Sequence, residues 1–356
     1  MIDQCFLHIG TEKTGTTSVQ EFLATNRERL LKHRYLYPKS PGAVNHLGLT
    51  CYAQDNHKFD SVRRSRAILS PADVLNYRMK LTAELDSEID ASRAGAIVFS
   101  NEHLSSRLTT EVEIRRIKDL CDRYAKRTRV IVYIRDQVEF LKSRYIEGVK
   151  GGATRSLALP LGPGLIRLMD YKILLAPWRA VFGFENMIVR RFVTEDFFAS
   201  DLLQDFESHI GIPVGTLEKT PRRNSALSKE CIDFLRLFNE HVSHAAGNGR
   251  NPLRGNVVGL LEQIQGGTRF QVSPDVADYV ESVTKDSNQF ISREYFDSRY
   301  QPLFERARPV PANPHPDTND QVSNIVRIAA YLWTQQQQAL LDCQQMVKNP
   351  RGHQTR

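Results

Sequence analysis

A loop with two glycines near the amino terminus is the first feature of the sequence that could do chemistry. Residues 8–17 read HIGTEKTGTT, and Gly10 and Gly15 lie five positions apart, as in the phosphate-binding pattern G-x-x-x-x-G-K-[ST]. The loop follows an apolar run and precedes a helical pattern, so its backbone N–H groups and the amino terminus of the helix would face the same anion. The residues that we expect to bind a phosphate are Lys13, Thr14, Gly15, Thr16, Thr17 and Ser18. The alternative is a tight turn that joins a strand to a helix.

The position of the lysine in this loop bears on the group that is transferred. ATP and GTP sites have the lysine after the second glycine, but here Thr16 stands there and Lys13 lies inside the loop. In those sites an Asp at another strand end supports Mg²⁺, whereas the strand ends here read SNE at 100–102 and RD at 135–136. An arginine where a metal site requires an acid favours a transferred group with less charge than a γ-phosphoryl group, such as a sulfuryl group. We therefore expect no metal.

A second pair of residues could hold another phosphate. Arg135 follows the apolar run VIVYI, and Ser143 lies eight positions later on the next helical pattern. An arginine fork at a sheet edge and a hydroxyl near the start of a helix can converge on one phosphate. We expect Arg135 and Ser143 to do so; the alternative for Arg135 is an ordinary surface ion pair.

Together these residues resemble the sulfotransferases that use 3′-phosphoadenosine 5′-phosphosulfate (PAPS). The 5′-phosphosulfate loop of that family reads roughly P-K-[ST]-G-T-T, against EKTGTT at 12–17 here, and its 3′-phosphate motif is an arginine at a strand end with a serine eight residues later. Glu12 stands at the position of the usual proline, and Ser18 stands where many cytosolic members have an aromatic residue. More narrowly, the sequence resembles bacterial members that begin H-I-G-x-x-K-T-G-T-T. Their N-H, S-x-E and W-x-x-x-F-G signatures correspond to residues 45–46, 100–102 and 178–183.

The resemblance implies an enzyme with PAPS as co-substrate, which transfers a sulfuryl group to a hydroxyl or amine of a polar acceptor such as a glycan. It implies that Lys13 stabilises the charge that develops on the leaving phosphate. Family members often close a basic loop over the 3′-phosphate, and TPRRNS at 220–225 corresponds to that loop. Arg222 and Arg223 are therefore further candidates; the alternative is a solvated basic turn.

Three residues compete for the role of the general base that takes the acceptor proton. His46 lies after the first helix, where related enzymes place a catalytic Glu or His. Glu102 and His103 follow the apolar run AIVFS, at the carboxyl edge where ligands bind in parallel sheets. Because neighbours on an extended segment point to opposite sides, we do not expect Glu102 and His103 both to face the acceptor. Alternatively, each histidine is structural and Glu102 pairs with an arginine.

Two other functions fit parts of the same pattern. One is a Mg²⁺-dependent nucleotide kinase or NTPase with an atypical phosphate-binding loop. The other is a non-catalytic protein that binds a nucleotide for regulation or scaffolding and uses its C-terminal helix as the interaction element.

The elements that position these residues alternate between short apolar strands and helices, which is typical of a three-layer α/β fold with a central parallel sheet. Strands are expected at 5–9, 96–100, 130–134 and 187–192. Helical periodicity covers 18–32, 71–92, 111–126, 165–182, 201–210, 228–241 and 274–285. The segment from about 199 to 300 is mostly helical, and we expect it to form a layer or lid on the same domain.

A proline-rich stretch divides the chain near its end. Residues 307–319 are expected to link an α/β domain at 1–306 to a C-terminal helix and tail at 320–356, with the helix itself at about 320–346. We expect this helix to pack on the body of the protein; the alternative is that it binds a partner or a second copy of the chain.

Composition restricts the class of protein further. The 356 residues carry 48 Lys and Arg against 41 Asp and Glu, a formal charge of +7, without the block of like charges that a nucleic-acid-binding tail would need. The five cysteines are odd in number and widely spaced, unlike a disulfide framework or a zinc site. The first apolar run is too short for a signal peptide, and no run of about 18 apolar residues occurs. We therefore expect a cytoplasmic protein without a transmembrane segment that does not bind nucleic acid.

Overall fold

The computed structural model describes residues 1–219, 227–246, 249–305 and 318–348, and the chain divides into two compact units. The first consists of Met1–Phe140, Pro160–Arg222 and Tyr279–Glu305, and the second of Leu141–Leu159, Arg223–Asp278 and Arg306–Arg356. The segment 199–300, which we expected to form one helical layer, contributes to both units. Of the expected linker at 307–319, only the last two residues are described, and they already belong to the final helix.

A five-stranded parallel sheet forms the centre of the first unit. Its strands are β1 (Ile2–His8), β2 (Tyr35–Leu36), β3 (Ala96–Ser100), β4 (Ala125–Ile134) and β5 (Met187–Arg191). They lie in the order β2-β3-β1-β4-β5, and every neighbouring pair is parallel. Residues 96–100 and 130–134 are buried throughout, which is why they read as continuous apolar runs rather than alternating ones. The expected α/β class with a central parallel sheet is therefore confirmed.

All four predicted strands lie in this sheet, and the largest error is in β4. That strand begins at Ala125, five residues before the predicted start, because the preceding helix ends at Tyr124 rather than at residue 126. The sequence pattern missed β2, which has only two residues and pairs with the start of β3. A strand this short is below the length at which alternation or an apolar run can be recognised.

Several of the helices begin where a polar side chain caps them. The α-helices of the described residues are α1 (Thr16–Thr25), α2 (Arg27–Lys32), α3 (Leu47–Ala53), α4 (Ser61–Arg64), α5 (Pro71–Ser92), α6 (His103–Arg107), α7 (Glu111–Tyr124), α8 (Gln137–Lys150), α9 (Pro163–Met169), α10 (Tyr171–Phe182), α11 (Leu202–Ile210), α12 (Lys229–His241), α13 (Val257–Leu261), α14 (Pro274–Phe296) and α15 (Thr318–Lys348). In α5, which has its predicted bounds, the Asp73 N–H donates to Ser70 Oγ at 3.2 Å and the Ser70 N–H donates to Asp73 Oδ2 at 2.9 Å. This reciprocal cap fixes the first turn of the helix.

Two helices that the sequence predicted as continuous are each divided in two. At the break between α1 and α2, Asn26 donates from Nδ2 to the carbonyls of Phe22 and Glu218, at 2.9 Å each. Between α9 and α10, the Asp170 carboxylate accepts from the Ile173 N–H at 3.0 Å and so starts a new helix. Asn and Asp side chains compete with the helical backbone for hydrogen bonds, and hydrophobic periodicity does not report that competition.

Two hydrophobic clusters pack on the strands of the sheet. One contains Leu7, Ile97 and Val132, and the other contains Phe6, Val98 and Ile131. Consecutive residues of a strand belong to different clusters, as expected because successive side chains point to opposite faces of the sheet. Helices therefore cover both faces of the sheet, and its carboxyl edge remains for the loops that follow β1, β3 and β4.

The second unit has a small core of its own. Helices α12, α13 and α15 contribute Ile232, Leu261 and Ile328 to one buried cluster. The final helix thus packs within this unit through Ile328, while Trp333 is 67% exposed. Among the helices within the described residues, none has both the length and the hydropathy needed to cross a membrane.

Candidate functional site

The glycine loop between β1 and α1 is bound to the neighbouring strand β4. The Thr11 N–H and hydroxyl both donate to the Tyr133 carbonyl, at 2.9 and 3.0 Å, and the Tyr133 N–H donates back to the Gly10 carbonyl at 2.7 Å. Within the loop, the Thr14 hydroxyl donates to the Thr11 carbonyl at 2.6 Å and is buried. The Thr14 side chain, which we expected to contact a ligand, therefore uses its hydroxyl proton inside the loop.

Both glycines of the motif are needed for the path of this loop. Gly10 and Gly15 have φ of 99° and 71°, in the left-handed region that other residues adopt only with strain. A Cβ on Gly10 would lie 3.0 Å from the Cα of Glu102, and a Cβ on Gly15 would lie 2.4 Å from Cδ2 of Leu202. The loop thus passes directly against Glu102, two residues after the end of β3. Lys13 also has a positive φ, of 66°.

The amino terminus of α1, which begins directly after the loop, has no side-chain cap. Gly15 is the N-cap residue and has no side chain to supply one, and the first turn contains no acidic residue. Thr16 is buried, whereas Thr17 and Ser18 are exposed. Backbone N–H groups of a first helical turn, together with the positive end of the helix dipole, form a site that suits an anion.

Arg135 brings a positive charge onto this loop from the end of β4. Its Nη1 donates to the Lys13 carbonyl at 2.8 Å, and its Nη2 lies 3.4 Å from Glu139 on the first turn of α8. The guanidinium also lies over the Phe192 ring, 5.5 Å from the ring centre. The buried Tyr171 hydroxyl donates to the Arg135 carbonyl at 2.6 Å and fixes the backbone there. Burial lowers the pKa of Arg135, and Glu139 opposes that shift.

A network of side-chain amides holds the carboxylate of Glu102. Gln20 on α1 donates to Oε2 at 2.8 Å, and Asn45 donates to Oε1 and Oε2 at 3.2 and 3.1 Å. The Asn45 carbonyl in turn accepts from Asn101, and Thr50 donates to Asn101 at 2.6 Å. Glu102 thus has a fixed orientation beside Gly10. Sequence reasoning missed Gln20 and the role of Asn45, because a side-chain amide leaves no sequence signal that would show which carboxylate the fold places next to it.

His103 lies between two carboxylates. Its Nδ1 is 3.4 Å from Oε1 of Glu12 and its Nε2 is 4.0 Å from Oε1 of Glu102. The premise that this segment is extended was wrong, and whether both side chains face an acceptor stays a prediction. Glu102 has helical φ and ψ of −70° and −25°, and α6 begins at the next residue. Glu12, which replaces the proline of the sulfotransferase pattern, thus contributes an acid to the site.

His46 is not placed to take a proton from a substrate. It is fully buried, its Nδ1 accepts from the Ser100 N–H at 3.2 Å, and its Nε2 lies 2.8 Å from the Pro38 carbonyl. This pattern requires a neutral ring with the proton on Nε2, and burial lowers the pKa of His46 to about 3. His46 therefore joins the segment before α3 to the end of β3, and the expectation of a general base here is corrected to a structural role.

The placement of the other expected phosphate ligands stays a prediction. Ser143 lies on α8 within the second unit, so its pairing with Arg135 stays a prediction. Arg222 and Arg223 lie outside the described residues. Trp178, part of the bacterial signature, is fully buried and stacks on Phe182, so it belongs to the core.

Among the residues that the structure describes, there is no group of three or more His, Cys, Asp or Glu side chains arranged to hold a metal ion. The expectation that no metal takes part stays a prediction. Comparison with family models, with curated proteins and with solved structures found no match to the chain.

Proposed function

We propose that this protein is a sulfotransferase that transfers a sulfuryl group from PAPS to a hydroxyl or amine of a polar acceptor. The proposal rests on the 2.8 Å hydrogen bond from Arg135 to the carbonyl of Lys13. That contact brings a cation from the end of β4 against the loop that follows β1, beside a helix amino terminus that no side chain caps. Donors from two strand ends thus meet at one edge of the sheet, which suits a ligand with two phosphate-like groups.

The glycine loop would bind the phosphosulfate end of the donor. As sulfur bonds to the acceptor oxygen or nitrogen, its bond to the bridging oxygen of the 5′-phosphate breaks, and negative charge develops on that phosphate. The N–H groups of the first turn of α1 and the ammonium of Lys13 would stabilise this charge. Adenosine 3′,5′-bisphosphate leaves as the second product, and Arg135 would hold its 3′-phosphate.

Glu102 is the best-placed general base for the acceptor proton. Gln20 and Asn45 fix its carboxylate, and it lies against Gly10 at the start of the loop. A base held in one orientation by its neighbours loses little entropy when it meets the acceptor. His103, 4.0 Å from Glu102, is the alternative base for the same proton. The polar character of these side chains favours a hydroxylated acceptor such as a glycan.

Nucleotide binding without metal tests this proposal against a Mg²⁺-dependent kinase or NTPase. Adenosine 3′,5′-bisphosphate with EDTA should raise the melting temperature, and ATP with EDTA should raise it much less. Stabilisation by MgATP alone would favour the kinase. Transfer of radiolabelled sulfate from PAPS to a panel of glycans and small acceptors then tests catalysis; nucleotide binding without any labelled product would favour a non-catalytic protein.

A further inference from the structure

We propose a second anion-binding site in the first unit, at the amino edge of the sheet, away from the glycine loop. A cleft of about 450 Å³ lies there, where β1 and β3 begin. Two arginines and two histidines line it: Arg34, Arg129, His33 and His209. This site is independent of the sulfotransferase proposal, because none of these side chains belongs to the loops that follow β1, β3 and β4.

Arg34 is held at the cleft by its backbone and leaves its guanidinium available. Its carbonyl accepts from the N–H groups of Gly95 and Ala96, at 2.8 and 3.0 Å, which joins the end of α2 to the start of β3. The guanidinium lies over Gly95, where a Cβ would come within 3.5 Å of Arg34 Nε. Among the described residues, this guanidinium has no hydrogen-bond acceptor and no ion pair within 4 Å, although the Asp3 carboxylate interacts with it electrostatically over a longer distance.

Arg129 approaches the same cleft from β4, where it is in register with Phe6 of β1. Its Nε is buried and has no hydrogen-bond acceptor among the described residues. A buried charged N–H group without an acceptor is costly, because it has lost its hydration without a replacement. An oxyanion in the cleft would supply the missing acceptor.

The acid in the cleft does not cancel these charges. Asp3 is the one acidic side chain among the described residues that line it, and Asp3 already pairs with Lys126 at 2.7 Å. The guanidinium groups therefore leave an excess of positive charge, in a concave surface where the field is focused.

The arginines do not serve instead as caps for the helices that end here. At the end of α2 the His33 N–H donates to the Arg29 and Leu30 carbonyls, at 3.2 and 3.0 Å. At the end of α11 the Ile210 carbonyl accepts from the Tyr35 hydroxyl at 2.8 Å. Because other groups satisfy these carbonyls, the guanidiniums remain for a ligand. Planar guanidinium forks bind phosphate and carboxylate groups, so a small phosphorylated or carboxylated molecule is the expected ligand.

The arginine Nε–H signals in NMR spectra of the full chain test this site directly. The signals of Arg34 and Arg129 are assigned from their absence in Arg34→Gln and Arg129→Gln. Inorganic phosphate and citrate are then titrated separately at constant ionic strength. We expect both signals to move with one shared dissociation constant, and the tighter of the two anions identifies the ligand as a phosphate or a carboxylate.

Variants show whether the two arginines act on one ligand. In Arg34→Gln, the dissociation constant of the anion, measured from the Arg129 signal, should rise by about tenfold, the effect of losing one charge-assisted hydrogen bond. Arg127→Gln is the matched control, since Arg127 lies two residues earlier on β4, is exposed and donates to Asn186 at 2.9 Å. Signals that do not move with either anion, or an Arg129 titration that is unchanged in Arg34→Gln, would overturn the proposal.

Discussion

Asn45 donates to both oxygens of the Glu102 carboxylate, at 3.2 and 3.1 Å, and so joins the segment before α3 to the end of β3. Asn45 is itself oriented by Asn101, which Thr50 of α3 contacts at 2.6 Å. The carboxylate therefore cannot turn without breaking a chain of side-chain hydrogen bonds. In the proposed enzyme these hydrogen bonds orient the Glu102 carboxylate towards the acceptor. Mutations can therefore test the carboxylate and the residues that orient it separately.

Replacement of Glu102 should remove proton transfer and leave nucleotide binding. We expect Glu102→Gln to lower kcat by about 10²–10⁴-fold, the usual contribution of a general base, with little change in the affinity for adenosine 3′,5′-bisphosphate. Steady-state kinetics with an accepted substrate and calorimetric titration of the nucleotide measure the two effects. Glu28→Gln, at an exposed position on α2, is the control. A Glu102→Gln enzyme with unchanged kcat would move the role of base to His103.

Asn45 should act as a positioning residue for that base. Asn45→Ala removes one side-chain hydrogen-bond donor, so we expect kcat to fall by about fivefold to tenfold, the equivalent of about 1 kcal/mol. Because the orientation of Glu102 changes and not its presence, the fall should be absent in the Glu102→Gln background. A double-mutant cycle on kcat measures this coupling, and fully additive losses would contradict it.

Arg135 should contribute to the binding of nucleotides that carry a 3′-phosphate. Arg135→Ala is expected to weaken the binding of adenosine 3′,5′-bisphosphate by about 1.5–3 kcal/mol, the value of a hydrogen bond to a charged group. The binding of adenosine 5′-phosphate should change much less. Arg135→Lys should recover little, because an ammonium cannot both reach the Lys13 carbonyl and bind a phosphate as a planar fork does. Calorimetric titration of both nucleotides measures the difference. Equal losses for the two would show that the arginine only shapes the loop.

The strands could be predicted from the sequence better than the site could. Burial of a strand produces a run of apolar residues, whereas the hydrogen-bond partners of a side chain leave no such pattern in the sequence. The runs at 96–100 and 130–134 are apolar since both faces of the sheet are covered, so they could be located without the structure. Arg135 and the glycine loop were found because they follow such runs. His46 was assigned a catalytic role from its position in the chain, and only the fold shows that the Ser100 N–H and the Pro38 carbonyl occupy its ring nitrogens.

The relation between Glu102 and His103 shows a second limit. Whether neighbouring side chains diverge depends on the backbone, and the strand had already ended at Ser100, so the alternation of a strand no longer applied. Glu12 was seen only as a departure from the sulfotransferase pattern. Its position near His103 depends on how the glycine loop folds against the end of β3, which no local pattern records.

Lys13 should matter more for turnover than for binding of the product nucleotide. Its charge is needed most while the bond to the leaving phosphate breaks, so Lys13→Ala should lower kcat and kcat/KM together. We expect the dissociation constant of adenosine 3′,5′-bisphosphate to change by less than about fivefold. Kinetics and nucleotide titrations of Lys13→Ala and of the exposed control Lys32→Ala test this. Normal turnover would exclude the role of Lys13 at the leaving group.

The buried His46 should make the stability of the protein depend on pH. Burial lowers the pKa of His46 to about 3 from its ordinary value of 6.5, so between these values the unfolded chain binds a proton that the folded chain does not. The stability that the neutral ring contributes is therefore fully present above about pH 6.5 and is lost as pH falls towards 3, by about 1.4 kcal/mol per pH unit.

Urea denaturation at pH 7, 6 and 5 measures this loss, with His46→Gln compared with the wild type. His46→Gln should be less stable than the wild type at pH 7, because the Ser100 N–H loses its buried acceptor. The difference in the free energy of unfolding should shrink as pH falls, since only the wild type loses the contribution of His46. His57→Gln, at an exposed position, should follow the wild-type slope. A constant difference across the three pH values would mean that His46 has the same pKa in the folded and the unfolded protein, and would restore it as a candidate base.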